Sequence, residues 1–265
     1  MHPNITVFCA FTRLWAIERW IDNLANSKHD PASTNLVFIV DADEPNIKFQ
    51  LNEYAKTRPY KSVNVIMNED NAPNEIRIAE RRQRIAQVKN QSKALISATD
   101  CEYVIGLEDD TVFGGDQLMA LLEPFKEQKK VGFVEGVQCG RWGVKIIGAW
   151  TVDNFYVPEK AKTIMPPIIG KRHSEIDAGG FYGYATTKEL YINHDYYSGA
   201  TQPYGPDVNF GLWVRAQGYR CLIDWHVEFG HNDHDKIILP DNDIAYVSFT
   251  KNRQNGHWDR EDVQT

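Results

Sequence analysis

The sequence predicts an α/β fold with a mostly parallel central sheet flanked by helices. Three observations predict it. Short apolar runs alternate with helix-period stretches through the first half, the runs end abruptly in polar or acidic residues, and no internal repeat or low-complexity segment interrupts the pattern.

Ile5 to Phe11 is an apolar run of strand length. Leu14, Ile17, Ile21 and Leu24 follow at helical spacing and predict a helix over 14–25. Leu36 to Val40 predicts a second strand, which stops at Asp41-Ala42-Asp43. A polar helical stretch leads to a third strand, Val63 to Met67. A long charged helix is predicted over 73–98, with Pro73 near its first turn, where proline is tolerated. Tyr103 to Leu107 predicts a fourth strand running directly into Glu108-Asp109-Asp110. Ligands in such sheets bind at the carboxyl ends of the strands, which singles out the polar residues after strands one, two and four.

The second half is less regular. Val131 to Val137 and Val144 to Val152 predict strands, and Pro158 to Ile176 reads as a long loop with three prolines. Asp207 to Gln217 predicts a helix that stops at Gly218, and the chain from Lys251 onward reads as a frayed polar tail. With 265 residues one domain is expected over 1–250, with a nucleotide-binding half over 1–112, an acceptor-binding half over 113–250 and a tail over 251–265.

A formal charge of −7 argues against holding nucleic acid by bulk electrostatics. No stretch has the roughly 20 apolar residues of a membrane helix. The N-terminus lacks the basic region and cleavage site of a signal peptide. Cys9, Cys101, Cys139 and Cys221 are widely spaced, which fits reduced thiols and a cytoplasmic location.

The acidic triplet carries the most chemistry. Three adjacent carboxylates at the end of a buried strand repel one another unless a positive charge compensates. Mg²⁺ or Mn²⁺ does so, because hard cations take carboxylate and phosphate oxygens. Strand alternation turns Glu108 and Asp110 to one side, toward one ion.

Over roughly residues 5 to 231 the chain resembles the GT-A glycosyltransferases, the family 2-like group in particular. The resemblance rests on Glu108-Asp109-Asp110 after strand four, on the Arg84 to Asn90 helix segment before it, and on Gly205-Pro206-Asp207 followed by Arg215 and Gly218. It implies a Rossmann-like sheet with a smaller acceptor-side sheet, and transfer of a sugar from a nucleotide diphosphate donor, a UDP-sugar first, to a hydroxyl. It further implies Asp110 as metal ligand, with Glu108 beside it on the metal and nucleotide. Phe11, Thr12, Arg13, Asp41, Asp43, Arg84, Asn90 and Asp109 complete the implied nucleotide pocket. Asp207 is implied as the base of an inverting reaction, although Pro206 stands where relatives carry Glu. The glycine-rich segment Gly179-Gly180-Phe181 and Trp213 are implied on the acceptor side, and His231 as a further metal ligand, with His226 and His234 in reserve. The acceptor is not specified: glycan, lipid-linked glycan, protein and modified nucleic acid, as in phage-type DNA glycosyltransferases, all stay open, and so does the oligomeric state. A catalytically silent glycan- or nucleotide-binding protein is the alternative of another class.

Overall fold

A computed structural model describes residues 3–40, 45–68, 78–139, 145–146, 148–152, 161–163, 171–197, 204–233, 236–238, 247–251 and 258–262. The first half alternates as expected: β1 (Ile5–Phe11), α1 (Ile17–Asn26), β2 (Thr34–Val40), α2 (Pro45–Ala55), β3 (Ser62–Met67), α3 (Ile78–Ser97) and β4 (Tyr103–Glu108). There follow β5 (Thr111–Val112), α4 (Gln117–Ala120), α5 (Glu123–Glu127), β6 (Val131–Cys139), β7 (Lys145–Ile146), β8 (Ala149–Val152) and β9 (Ala161–Thr163). The chain continues through β10 (His173–Ile176), β11 (Ala178–Gly179), β12 (Gly183–Thr187), α6 (Lys188–Asn193) and α7 (Pro206–Ala216). It closes with β13 (Arg220–Asp233), β14 (Lys236–Ile238), β15 (Val247–Lys251) and β16 (Trp258–Asp262).

The nucleus of the sheet is parallel, in the order β4-β1-β2-β3. β2 is buried at every residue, as its unbroken apolar run demands of a strand covered on both faces. α1 turns Ile17, Trp20 and Leu24 to the core at i, i+3 and i+7, and leaves Glu18 and Arg19 in water. Trp20 meets Phe11, Phe38 and Phe113 edge-on, with centroids 5.2–5.5 Å apart. Each such ring removed from water contributes about 1.5–3 kcal/mol.

Beyond β4 the sheet becomes mixed. β12 pairs antiparallel with both β4 and β6, and β6 pairs in parallel with the long β13. The expected smaller sheet is present as β11-β8-β9. The predicted Val144–Val152 strand is two strands, β7 in the large sheet and β8 in the small one. The predicted loop over 158–176 contains β9 and β10, and the predicted frayed tail contains β16, paired with β15. Among the described residues no helix is long and apolar enough to cross a membrane, and Cys9, Cys101 and Cys221 are free and buried.

Candidate active site

β4 ends at Glu108, and a turn at Asp109-Asp110 hands the chain to β5. The alternation that would aim Glu108 and Asp110 to one side therefore does not extend through the triplet. The turn separates the acids by environment: Glu108 is half-buried, whereas Asp109 and Asp110 are 3% and 1% exposed.

Arg13 supplies the compensating charge. Asp109 Oδ2 accepts from the Thr12 N–H at 2.8 Å, the Thr12 hydroxyl at 3.1 Å and the Arg13 N–H at 3.0 Å. The Arg13 guanidinium pairs with Asp109 Oδ1, and its Nη1 lies 3.0 Å from Asp110 Oδ2. Parallel β1–β4 pairing sets Ala10 beside Glu108, so both strands leave the sheet at the same end and the loops meet. Burial opposes the Arg13 charge, but Asp109, Asp110 and Glu108 outweigh it and hold the side chain protonated. Burial raises the Asp109 carboxyl, against the lowering influence of Arg13 and Thr12.

The far end of β13 reaches the same turn. His231 pairs with Thr111, and the Asn232 N–H donates to the Asp110 carbonyl at 2.8 Å. This register leaves His231 Nε2 3.7 Å from Asp110 Oδ2, with both side chains buried. One carboxylate oxygen and one imidazole nitrogen are ligand types that suit Mn²⁺, and diphosphate oxygens and water suit its remaining positions. Among the described residues no three His, Cys, Asp or Glu side chains form a metal-holding group. The expected set of Glu108, Asp110 and His231 is thus assembled only in its last two members. The reserve ligand His226 is exposed, and His234 lies outside the described residues.

α7 opens at the glycine-proline pair. Gly205 is the N-cap and Pro206 the first helical residue, so Asp207 is not the cap; its Oδ1 accepts from the Val208 N–H at 2.9 Å. The helix ends where Gly218, at φ +84°, takes the left-handed conformation that follows many helices. Burial raises the Asp207 carboxyl, while the Val208 N–H, Arg82 and Lys89 pull it down.

Several expected site residues have other roles in the structure. Phe11 is fully buried against Trp20 and Phe38, so its ring belongs to the core. Asn90 uses both ends of its amide on the backbone of Tyr196, donating to its carbonyl at 2.7 Å and accepting from its N–H at 3.1 Å. Phe181 is buried between Tyr184, Tyr196 and Phe210, which removes it from acceptor stacking. Trp213 is partly exposed and packs on His194 and Phe210. Arg84 is half-buried on α3, and Asp41 and Asp43 lie outside the described residues.

Gly179 and Gly180 make room for a carboxyl that sequence reasoning missed. Glu135 is fully buried on β6 and accepts from the Gly180 N–H at 2.7 Å; a side chain at Gly179 would fall 2.3 Å from its Oε2. Burial raises the Glu135 carboxyl strongly, against the Gly180 N–H, and the nearby Asp207 adds to the rise. A lone Glu inside the apolar run Val131 to Val137 was its only signal in the sequence.

A curled sheet with a parallel nucleus, flanked by helices and bearing an acidic turn after its fourth strand, is a Rossmann-like glycosyltransferase-type fold. Among solved structures the chain is similar to the mannosyltransferase PcManGT from Pyrobaculum calidifontis in complex with GDP-Man and Mn²⁺, with a TM-score of 0.58 and 15% identity. The match covers 86% of this chain and 56% of that one, so the chain spans little more than half of that protein's length. At this identity the likeness concerns the fold. No protein-family model matches the chain, and no curated protein does.

Proposed function

We propose that the protein is a metal-dependent glycosyltransferase that moves a sugar from a nucleoside diphosphate donor to a hydroxyl acceptor. The observation that carries the reading is the meeting of three chain segments at one end of the sheet: Thr12-Arg13, Asp109-Asp110 and His231. Asp110 and His231 are the residues that hold the divalent cation, which when bound supplies a Lewis acid for charge on the departing diphosphate. Arg13 and Thr12, fixed by Asp109, form the wall of the nucleotide site. Asp207 takes the acceptor proton in a single inverting displacement; its raised pKa makes it a better base than an exposed carboxylate while it stays ionised near neutrality.

UDP-sugars are the first donors to try. GDP-mannose joins them because the structurally similar mannosyltransferase was solved with it. The test is release of nucleoside diphosphate from a UDP- and GDP-sugar panel with Mn²⁺, comparing the native protein with Asp110→Ala. Release that needs both Mn²⁺ and Asp110 supports the reading; equal release by the variant removes Asp110 from it.

The Arg13–Asp110 ion pair favours a second reading, a nucleotide-sugar-binding protein in which the guanidinium takes the place of the metal. Such a protein binds donor without Mn²⁺ and releases no diphosphate.

A further inference from the structure

Lys89 was expected on an exposed basic face of α3. It is instead 5% exposed, in a cage of aromatic rings. Its Nζ lies 4.2 Å from the Phe181 centroid, 4.7 Å from Phe8 and Tyr184, and 5.8 Å from Tyr191. The ammonium donates to the Tyr184 hydroxyl at 2.6 Å. The sheet is shaped to allow this. Tyr184 stands opposite Gly106 on β4, and a side chain at Gly106 would sit 2.2 Å from the Tyr184 ring. Ring faces favour a cation electrostatically, so four of them around one buried ammonium define a seat for positive charge.

The seat lies within the field of the proposed base. Asp207 on α7 is drawn down by Lys89 and Arg82, both on α3, and Glu135 on β6 faces Asp207 with the opposite influence. Lys89 in turn faces Glu108 from β4, Cys9 from β1, and Tyr184 and Tyr191 from β12 and α6. Burial alone would drive Asp207 toward its neutral form, and a neutral acid cannot accept a proton.

We infer that Lys89 is a positioning residue for the base: its caged ammonium keeps Asp207 a carboxylate inside a buried helix N-terminus, beside the buried acid Glu135. Lys89 touches no reacting atom in this account and acts only through Asp207. The inference takes its functional meaning from the base role given to Asp207, yet the charge coupling itself is measurable without turnover.

The experiment is a carbon-13 NMR titration of the Asp207 carboxyl in the full chain, labelled at aspartate and assigned with Asp207→Asn. Lys89→Met is compared with the native protein, and Tyr184→Phe is the second variant, because it keeps the cage but removes the hydroxyl that accepts from Lys89. The Asp207 midpoint is expected to rise by about one pH unit in Lys89→Met and by a smaller amount in Tyr184→Phe. If Lys89→Met does not fold, the Tyr184→Phe rise decides. A midpoint unmoved in the folded variants overturns the inference. A midpoint that moves in a protein releasing no diphosphate from any donor retains the coupling and defeats the glycosyltransferase reading instead.

Discussion

His231 Nε2 stands 3.7 Å from Asp110 Oδ2, although 120 positions separate the two residues in the chain. The juxtaposition follows from β13, which pairs with β6 along most of its length and with β5 at its end, so its last turn-facing histidine arrives at the acidic turn. If the pair holds a cation, Mn²⁺ stabilises the native fold by mass action, by about 2.7 kcal/mol at a hundredfold excess over Kd. Thermal unfolding with and without Mn²⁺ is expected to show a gain of several degrees in the native protein and little in Asp110→Ala or His231→Ala. An equal gain in all three places the ion elsewhere.

Arg13 is the fixed positive charge against Asp109 and Asp110. Arg13→Met leaves two buried carboxylates facing each other and is expected to destabilise the protein by about 2 kcal/mol, a value reduced for the partial exposure of Arg13. Mn²⁺ should recover part of that loss. Urea unfolding of the variant with and without the metal measures both effects, and an unchanged midpoint would show that the ion pair contributes nothing.

Asp207→Asn keeps the size and the helix N-terminus but removes the proton acceptor. Transfer to acceptor is expected to fall about a hundredfold or more with thermal stability nearly unchanged. Native turnover in this variant clears Asp207 of the base role.

Lys89 carries a pH signature in stability. Burial lowers its pKa from 10.5 to about 7, against Glu108, Cys9 and Asp207, which raise it. Between those values the unfolded chain holds one proton more than the folded one, so stability rises with pH from about 7 toward 10.5, and the penalty is present in full below 7. Lys89→Met lacks this penalty. It is expected to exceed the native protein in stability at pH 6 by on the order of 1–3 kcal/mol, with the advantage fading toward pH 10. Denaturant unfolding at pH 6, 8 and 10 checks the slope; a constant difference at all three would refute it.

Gly106→Ala sets a methyl against the ring of Tyr184, with its nearest atom 2.2 Å away. The ring is packed between Phe133, Phe181 and Lys89, so it cannot yield freely. A loss of about 2–3 kcal/mol is expected from chemical unfolding; a loss under about 0.5 kcal/mol would mean that the cage is looser than described.

The parallel half of the fold was legible because buried strands there are unbroken apolar runs and α1 has a clean helical period. Asp109, Asp110 and His231 were legible for a related reason: residues at strand ends project toward the ligand edge, and strand ends show in the sequence. Buried polar groups were not. Lys89 sits at a plausible solvent position of a charged helix, and only the Gly106–Tyr184 packing reveals that it points inward. Glu135 explains the Gly179-Gly180 pair, which sequence reasoning had assigned to sugar contact. Asn90 went unrecognised as a backbone clamp because its partner, Tyr196, lies 106 positions away. β16 was missed because its sequence, Trp258 to Asp262, is almost wholly charged and its strand state depends on pairing with β15.

The most direct test is Mn²⁺-dependent release of nucleoside diphosphate from a panel of UDP- and GDP-sugars, with sugar transfer to an offered hydroxyl acceptor followed in the same reaction. The account predicts release with at least one donor, lost on chelation and lost in Asp110→Ala. Donor binding with no release under any metal condition would contradict it and leave a binding protein.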